Sequence, residues 1–183
     1  MKNVVVSIFS EESKTYEAMS YLKSRTGTTE VDCVSVIKNE NGHITVQDGF
    51  GSDSDDHWAT GGLLGALIGL LGGPIGMLLG SSLGMLIGGS VDMSDVDSTS
   101  DVIRQVIAKL GNYKLAMVII AEEITPNELD EFLKSHGANA IIRESYSVVK
   151  EDVIHAEKVE KDMAKEAKHR MREEKKARKA HAN

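Results

Sequence analysis

Apolar residues along this chain fall into two rhythms, unbroken β-branched runs and stripes recurring every three to four positions, and together they lay out most of a fold. Residues 4–9 are β-branched and apolar, and they predict a central strand covered on both faces. A helix follows, with Ser10 as its cap, Glu11 and Glu12 at its positive end, Ala18, Met19 and Leu22 as its inward stripe, and Gly27 as its stop. Residues 31–37 form the next strand, with Val31, Cys33, Ser35 and Ile37 on one face and Val34 and Val36 on the other. Asn41-Gly42 then turns the chain into a short returning strand at residues 44–46, since both residues tolerate the positive φ of a type I′ turn. A polar loop, residues 47–58, leads away from it.

Late in the chain the helical period returns. Val102, Ile103, Val106, Ile107 and Leu110 mark one face of a helix that ends at Gly111, and residues 115–121 read as a buried strand. Thr125-Pro126-Asn127-Glu128 combines a capping threonine, a proline at the first helical position and a reciprocal glutamate, starting a helix through Leu129, Phe132 and Leu133 to Gly137. Residues 140–149 supply the last strand.

Between the halves lies a stretch with neither rhythm of an ordinary domain. Residues 61–90 contain no charge, and glycine recurs every fourth position, first at Gly61, Gly65, Gly69 and Gly73, then at Gly72, Gly76, Gly80, Gly84 and Gly88. On a helix each series is a bare stripe that lets another backbone approach, so Gly65, Gly69, Gly73, Gly76, Gly80, Gly84 and Gly88 are the candidate helix-packing residues. Gly72, Gly73 and Pro74 break the run and predict a hairpin turn. Each arm is then about 20 Å long, short of a bilayer core of about 30 Å, whereas one kinked helix is long enough to cross. Insertion in a membrane and burial inside a soluble oligomer both fit this pattern.

The expected fold class is therefore α+β. A ferredoxin-like βαββαβ core carries an extra αβ unit, an inserted glycine-rich apolar hairpin and a charged C-terminal helix. Residues 1–50 and 98–149 make the discontinuous α+β domain, residues 51–97 the acidic linkers with the hairpin at 61–90, and residues 150–183 a charged helical tail. The tail is rich in helix formers, with Glu157 to Lys161 and Glu166 to Arg170 spaced for ion pairs. Its apolar stripe is thin: Val159, Met163, Ala167 and Met171. That pattern suits a solvated helix, a helix paired with another copy, or a basic surface for anionic lipid.

Charge and cysteine narrow the functions. At 183 residues, a net charge of −7 argues against a general nucleic-acid partner, because phosphate binding needs a basic footprint. Cys33 is the sole cysteine, which rules out an intrachain disulfide and a thiolate zinc cluster and fits a reducing, cytosolic setting. The apolar start is broken by Glu11 and Glu12 without a cleavage site, so no signal peptide is expected. No phosphate loop, nucleophile elbow, HExxH or dinucleotide fingerprint is present, and the expectation is a protein that is not an enzyme and uses no cofactor. One constellation remains. Asp53, Asp55 and Asp56 precede the hairpin and Asp92, Asp95 and Asp97 follow it, so a hairpin would gather them into a carboxylate collar able to hold a hard divalent cation.

The segment Gly-Ala-Leu-Ile-Gly-Leu-Leu-Gly-Gly-Pro-Ile-Gly from Gly65 to Gly76, set in an α+β frame and followed by an acidic stretch and a charged helix, resembles the bacterial domain-of-unknown-function family numbered 1269. The resemblance covers most of the chain up to about Val149. Members of that family are labelled predicted membrane proteins, so the resemblance implies location and architecture and carries over no catalytic residue. The expected protein is a non-enzymatic, self-associating, membrane-associated one, with itself and the lipid membrane as partners. It sits on the cytosolic side of a bacterial inner membrane, where envelope stress and a small pore are the roles that fit. The alternative is a soluble, cytoplasmic homo-oligomeric binding or scaffold protein whose hairpins bury one another.

Overall fold

Two strands dominate the architecture because they have no polar face to offer. Seven of the eight residues of β1 (Lys2–Phe9) and eight of the nine of β4 (Leu115–Glu123) are buried, which suits only the interior of a sheet covered on both sides. The computed structural model describes residues 1–24, 29–40, 43–51, 57–73, 101–110 and 115–181, and within them the protein is α+β. Around β1 and β4 stand α1 (Glu12–Ser24), β2 (Thr29–Glu40), β3 (His43–Gly51), α2 (His57–Gly72), α3 (Asp101–Leu110), α4 (Pro126–Ser135), β5 (Ala138–Ser145) and α5 (Tyr146–His181).

The five strands lie in the order β3-β2-β4-β1-β5, every neighbouring pair antiparallel. Two strand-helix-strand units interleave to give that order: β1 and β2, joined through α1, flank β4, while β4 and β5, joined through α4, flank β1. β5, read from the sequence as part of an added unit, thus lies against β1. β3 is one of the two edge strands, largely exposed on both faces, and it continues to Gly51 through residues expected to be loop.

Each face of the sheet has its own core. Val5, Phe9, Val34, Val36, Met117 and Ile119 meet Ala18, Met19 and Leu22 of α1 and Leu129 and Leu133 of α4. On the other face, Val4, Val6, Ile8, Cys33, Ile37, Val118 and Ile120 meet α2, α3 and the first turns of α5. Val31 departs from the expected alternation. The pairing slips between Val31 and Cys33, so Asp32 is an extra residue and Val31 packs on the α1 side, opposite Cys33.

Helix ends show where side chains found other partners. Ser10 does not cap α1; its hydroxyl donates to Asn139 Oδ1 at 2.8 Å. Thr125 holds the N-cap position of α4 without a side-chain cap bond, and Pro126 follows it. Gly137 ends α4 with φ 87°, and its N–H bonds the Lys134 carbonyl at 3.0 Å. The last strand stops at Ser145, and the β-branched Val148 and Val149, expected in that strand, are helical. Ser145 Oγ accepts the Val148 N–H at 3.4 Å, so a serine cap overrides the apolar run. The expected turn at Asn41-Gly42 and the helix stops at Gly27 and Gly111 lie outside the described residues.

Candidate functional site

α2 carries the first glycine series, and its two faces have different surroundings. Leu63, Leu64, Leu67, Leu70 and Leu71 are buried in the core that β1, β2 and β4 share with α3 and α5; Leu67 is only 1% exposed. At about 2 kcal/mol per buried leucine, on the order of 10 kcal/mol ties this helix to the sheet. On the opposite face Gly62, Gly65 and Gly69 are exposed, and a methyl group added to any of them meets nothing within 4 Å among the described residues. The leucines hold the helix down, and the glycines leave its outer face flat.

The far end of α2 is pinned by close approach. A methyl group on Gly72 would stand 3.2 Å from Ile44 Cβ of β3, and one on Gly73 would stand 2.7 Å from Glu160 Oε1 of α5 and 2.8 Å from the Gly69 carbonyl oxygen. Gly72 and Gly73, expected to form a hairpin turn, let the helix end fit between β3 and α5, and the rest of the expected hairpin lies outside the described residues. Pro74, Gly76, Gly80, Gly84 and Gly88 lie outside the described residues, as do Asp53, Asp55, Asp56, Asp92, Asp95 and Asp97. Among the described residues no group of three or more His, Cys, Asp or Glu is placed to hold a metal ion. None of the described helices is long and apolar enough to cross a membrane.

Two polar clusters that the sequence did not announce sit at one end of the sheet. The Glu123 carboxylate is fully buried and takes Arg143 Nε at 2.9 Å, Arg143 Nη2 at 3.0 Å and Asn3 Nδ2 at 2.8 Å. Arg143 Nη2 also reaches Asp130 Oδ1 at 2.6 Å. Burial works against the guanidinium charge, and the hydrogen bonds that Arg143 donates to Asp130 and Glu123 more than reverse it, so Arg143 is held above its ordinary range. Both carboxylate oxygens are occupied, which makes this a clamp joining β1, β4, β5 and α4. The only trace in sequence is an arginine following Ile141 and Ile142 in a strand.

The second cluster lies beside Cys33. Lys2 Nζ pairs with Asp32 Oδ2 at 2.7 Å and stands 4.9 Å from the centre of the Tyr146 ring. Burial lowers the Lys2 ammonium, but the hydrogen bond and charge of Asp32 outweigh it and the net shift is upward. Burial, helped by the Asp32 charge, pushes the Cys33 thiol up to about 11. A buried thiol held protonated under a packed core is a poor nucleophile.

A family model described as protein of unknown function (DUF1269) matches residues 59–160. The chain belongs to this family. No curated protein and no solved structure matches it. The DUF1269 region opens in the first turn of α2 and closes at Glu160, beside the end of that helix, so it contains α2 and the part of α5 that shares its core. β1 to β3, which the resemblance in sequence also covers, lie outside the DUF1269 match.

Proposed function

We propose that this DUF1269 protein is a non-enzymatic, self-associating, membrane-associated protein, built on a ferredoxin-like frame of interleaved strand-helix-strand units, that assembles through the glycine face of α2. One observation carries the reading: Gly62, Gly65 and Gly69 lie exposed on one side of a helix whose other side is locked into the core. Exposed helical glycines each cost about 1 kcal/mol relative to alanine, and none of the described residues packs closely enough against these three to require them. Close approach of a second backbone is what such a face is shaped for. The uncharged residues 74–90 continue from this helix and supply apolar sequence for a lipid contact on the cytosolic side of a bacterial inner membrane.

The burial of the five leucines also favours a second reading. In it the same glycine faces pair in a soluble, cytoplasmic oligomer, because α2 cannot enter lipid without stripping the core. Oxidative cross-linking of a Gly65→Cys protein in cells, followed by an alkaline carbonate wash, separates the two. A covalent dimer retained in washed membranes supports the first reading, and one found in the soluble fraction supports the second. A protein that stays uncross-linked in both fractions removes α2 from the assembly. Cys33, buried with its thiol raised, leaves the background low.

A further inference from the structure

We propose that the outward face of α5 is a docking surface for an anionic lipid bilayer. This names the contact through which the membrane association proposed above is made, and it rests on that reading. α5 anchors itself through Val149, Val153 and Ala156, which are buried on the same sheet face as α2. On the opposite side of the helix a row of cations begins. Lys158, Lys161, Lys165, Lys168, Arg172, Lys175 and Lys176 follow one another at intervals of three or four residues, apart from the adjacent last two, so they share one face, and all seven are exposed. From Lys158 to Lys176 the row is about 27 Å long at 1.5 Å per residue.

Ile154, 59% exposed, stands in line with it one turn before Lys158 and gives the face an apolar side chain to bury at a headgroup boundary. Acidic residues are interspersed with the row: Glu157, Asp162 and Glu173 pair with Lys161, Lys165 and Lys176 at 3.3, 2.8 and 3.0 Å. Exposed pairs of this kind are weak and leave the lysines available to a stronger field.

Charge distribution along the chain points the same way. Residues 157–183 hold ten Lys and Arg against six Asp and Glu, whereas residues 1–156 hold eleven against twenty-two. A chain polarised like this turns its tail, and not its body, toward an anionic plane. A row of cations along one broad face of a helix can meet a plane over much of its length. It lacks the aromatic side chains on which nucleic-acid bases stack, since none follows Tyr146, and it lacks the apolar seam that a partner helix needs.

The test is co-sedimentation of the full chain with phosphatidylcholine vesicles and with vesicles of phosphatidylcholine and phosphatidylglycerol. The wild type should bind the anionic vesicles far more tightly and release them as salt rises. Replacing Lys161, Lys165, Lys168 and Arg172 with Gln should weaken that binding roughly a hundredfold or more, at about fivefold per cation, while replacement of the three lysines by Arg preserves it. Circular dichroism of the Gln variant checks that the helix persists. Equal binding by the Gln variant overturns the proposal, as does a variant that changes the oligomer's size without vesicles, which would assign the row to a protein contact. Tight binding to both vesicle types alike leaves the membrane reading standing and removes only the role of α5. Binding to neither removes both.

Discussion

α2 and α5 cover the same face of one sheet and reach it from opposite compositions. α2 has no charged residue after His57, and its attachment is a matter of shape, with leucine on one side and glycine on the other. α5 is among the most charged stretches of the chain and attaches through three small apolar residues before running on as a rod with exposed cations. Apolar content alone would send α2 to lipid and α5 to water. Side-chain volume and its placement around the helix seat the leucine side of α2 in the core instead, because a core accepts leucine wherever it is presented on one face and glycine contributes no area to bury.

The comparison breaks most easily at Leu67. Leu67→Ala should cost about 3 kcal/mol in urea unfolding, since the site is fully enclosed between helix and sheet. A loss below about 0.5 kcal/mol would mean that α2 does not belong to this core. Cys33, in the same cluster, gives an independent reading. With its thiol raised to about 11 it should resist alkylation at neutral pH in the wild type and react roughly a hundredfold faster in the variant, as opening becomes easier. The sign with pH follows from the same shift. Between an ordinary thiol value near 9 and about 11, the unfolded chain ionises Cys33 and the folded one does not, so stability falls as pH rises through that window.

Val153→Ala tests the other helix. A loss of about 2 kcal/mol is expected, smaller than for Leu67 because fewer methyl groups leave the core. An unchanged unfolding midpoint would detach α5 from the sheet and remove the fixed orientation on which its cation row depends.

Much of this was legible from periodicity. The α3 stripe of Val102, Ile103, Val106, Ile107 and Leu110 is buried throughout, and the unbroken runs of β1 and β4 became interior strands. Three features escaped for different physical reasons. The bulge at Asp32 inverts the face of Val31, and nothing local in the sequence signals an extra residue there. The α5 start was hidden because Val148 and Val149 favour strands while the deciding signal was the single hydroxyl of Ser145. The Glu123–Arg143 clamp joins residues twenty apart, and pattern reading reports only neighbours along one element. The glycine stripe itself was visible, yet the burial of its leucine side depended on sheet residues such as Ile37 and Ile120, far away in sequence.

Gly65→Ala sharpens the comparison further because its two effects have opposite signs. Space is open around the position, so the added methyl group should raise folding stability by about 0.5 to 1 kcal/mol through helix propensity and a less flexible unfolded chain. If α2 associates through this face, the same methyl group holds two backbones apart, and sedimentation should show a weaker oligomer. A stabler monomer with unchanged assembly would assign the exposed glycines no role in contact.

The smallest effect belongs to the rod. Lys165 Nζ lies 2.8 Å from Asp162 Oδ1 with both side chains exposed, and the lysine holds the Asp162 carboxyl below its usual range. Water and salt screen such a pair, so Lys165→Ala should leave the urea unfolding midpoint essentially unchanged. A marked drop in the midpoint would require a buried contact on the outer half of α5 and would contradict its exposure. If stability holds as expected while affinity for anionic vesicles falls, the charges of α5 act at a surface outside the fold, whereas the leucines of α2 act within it.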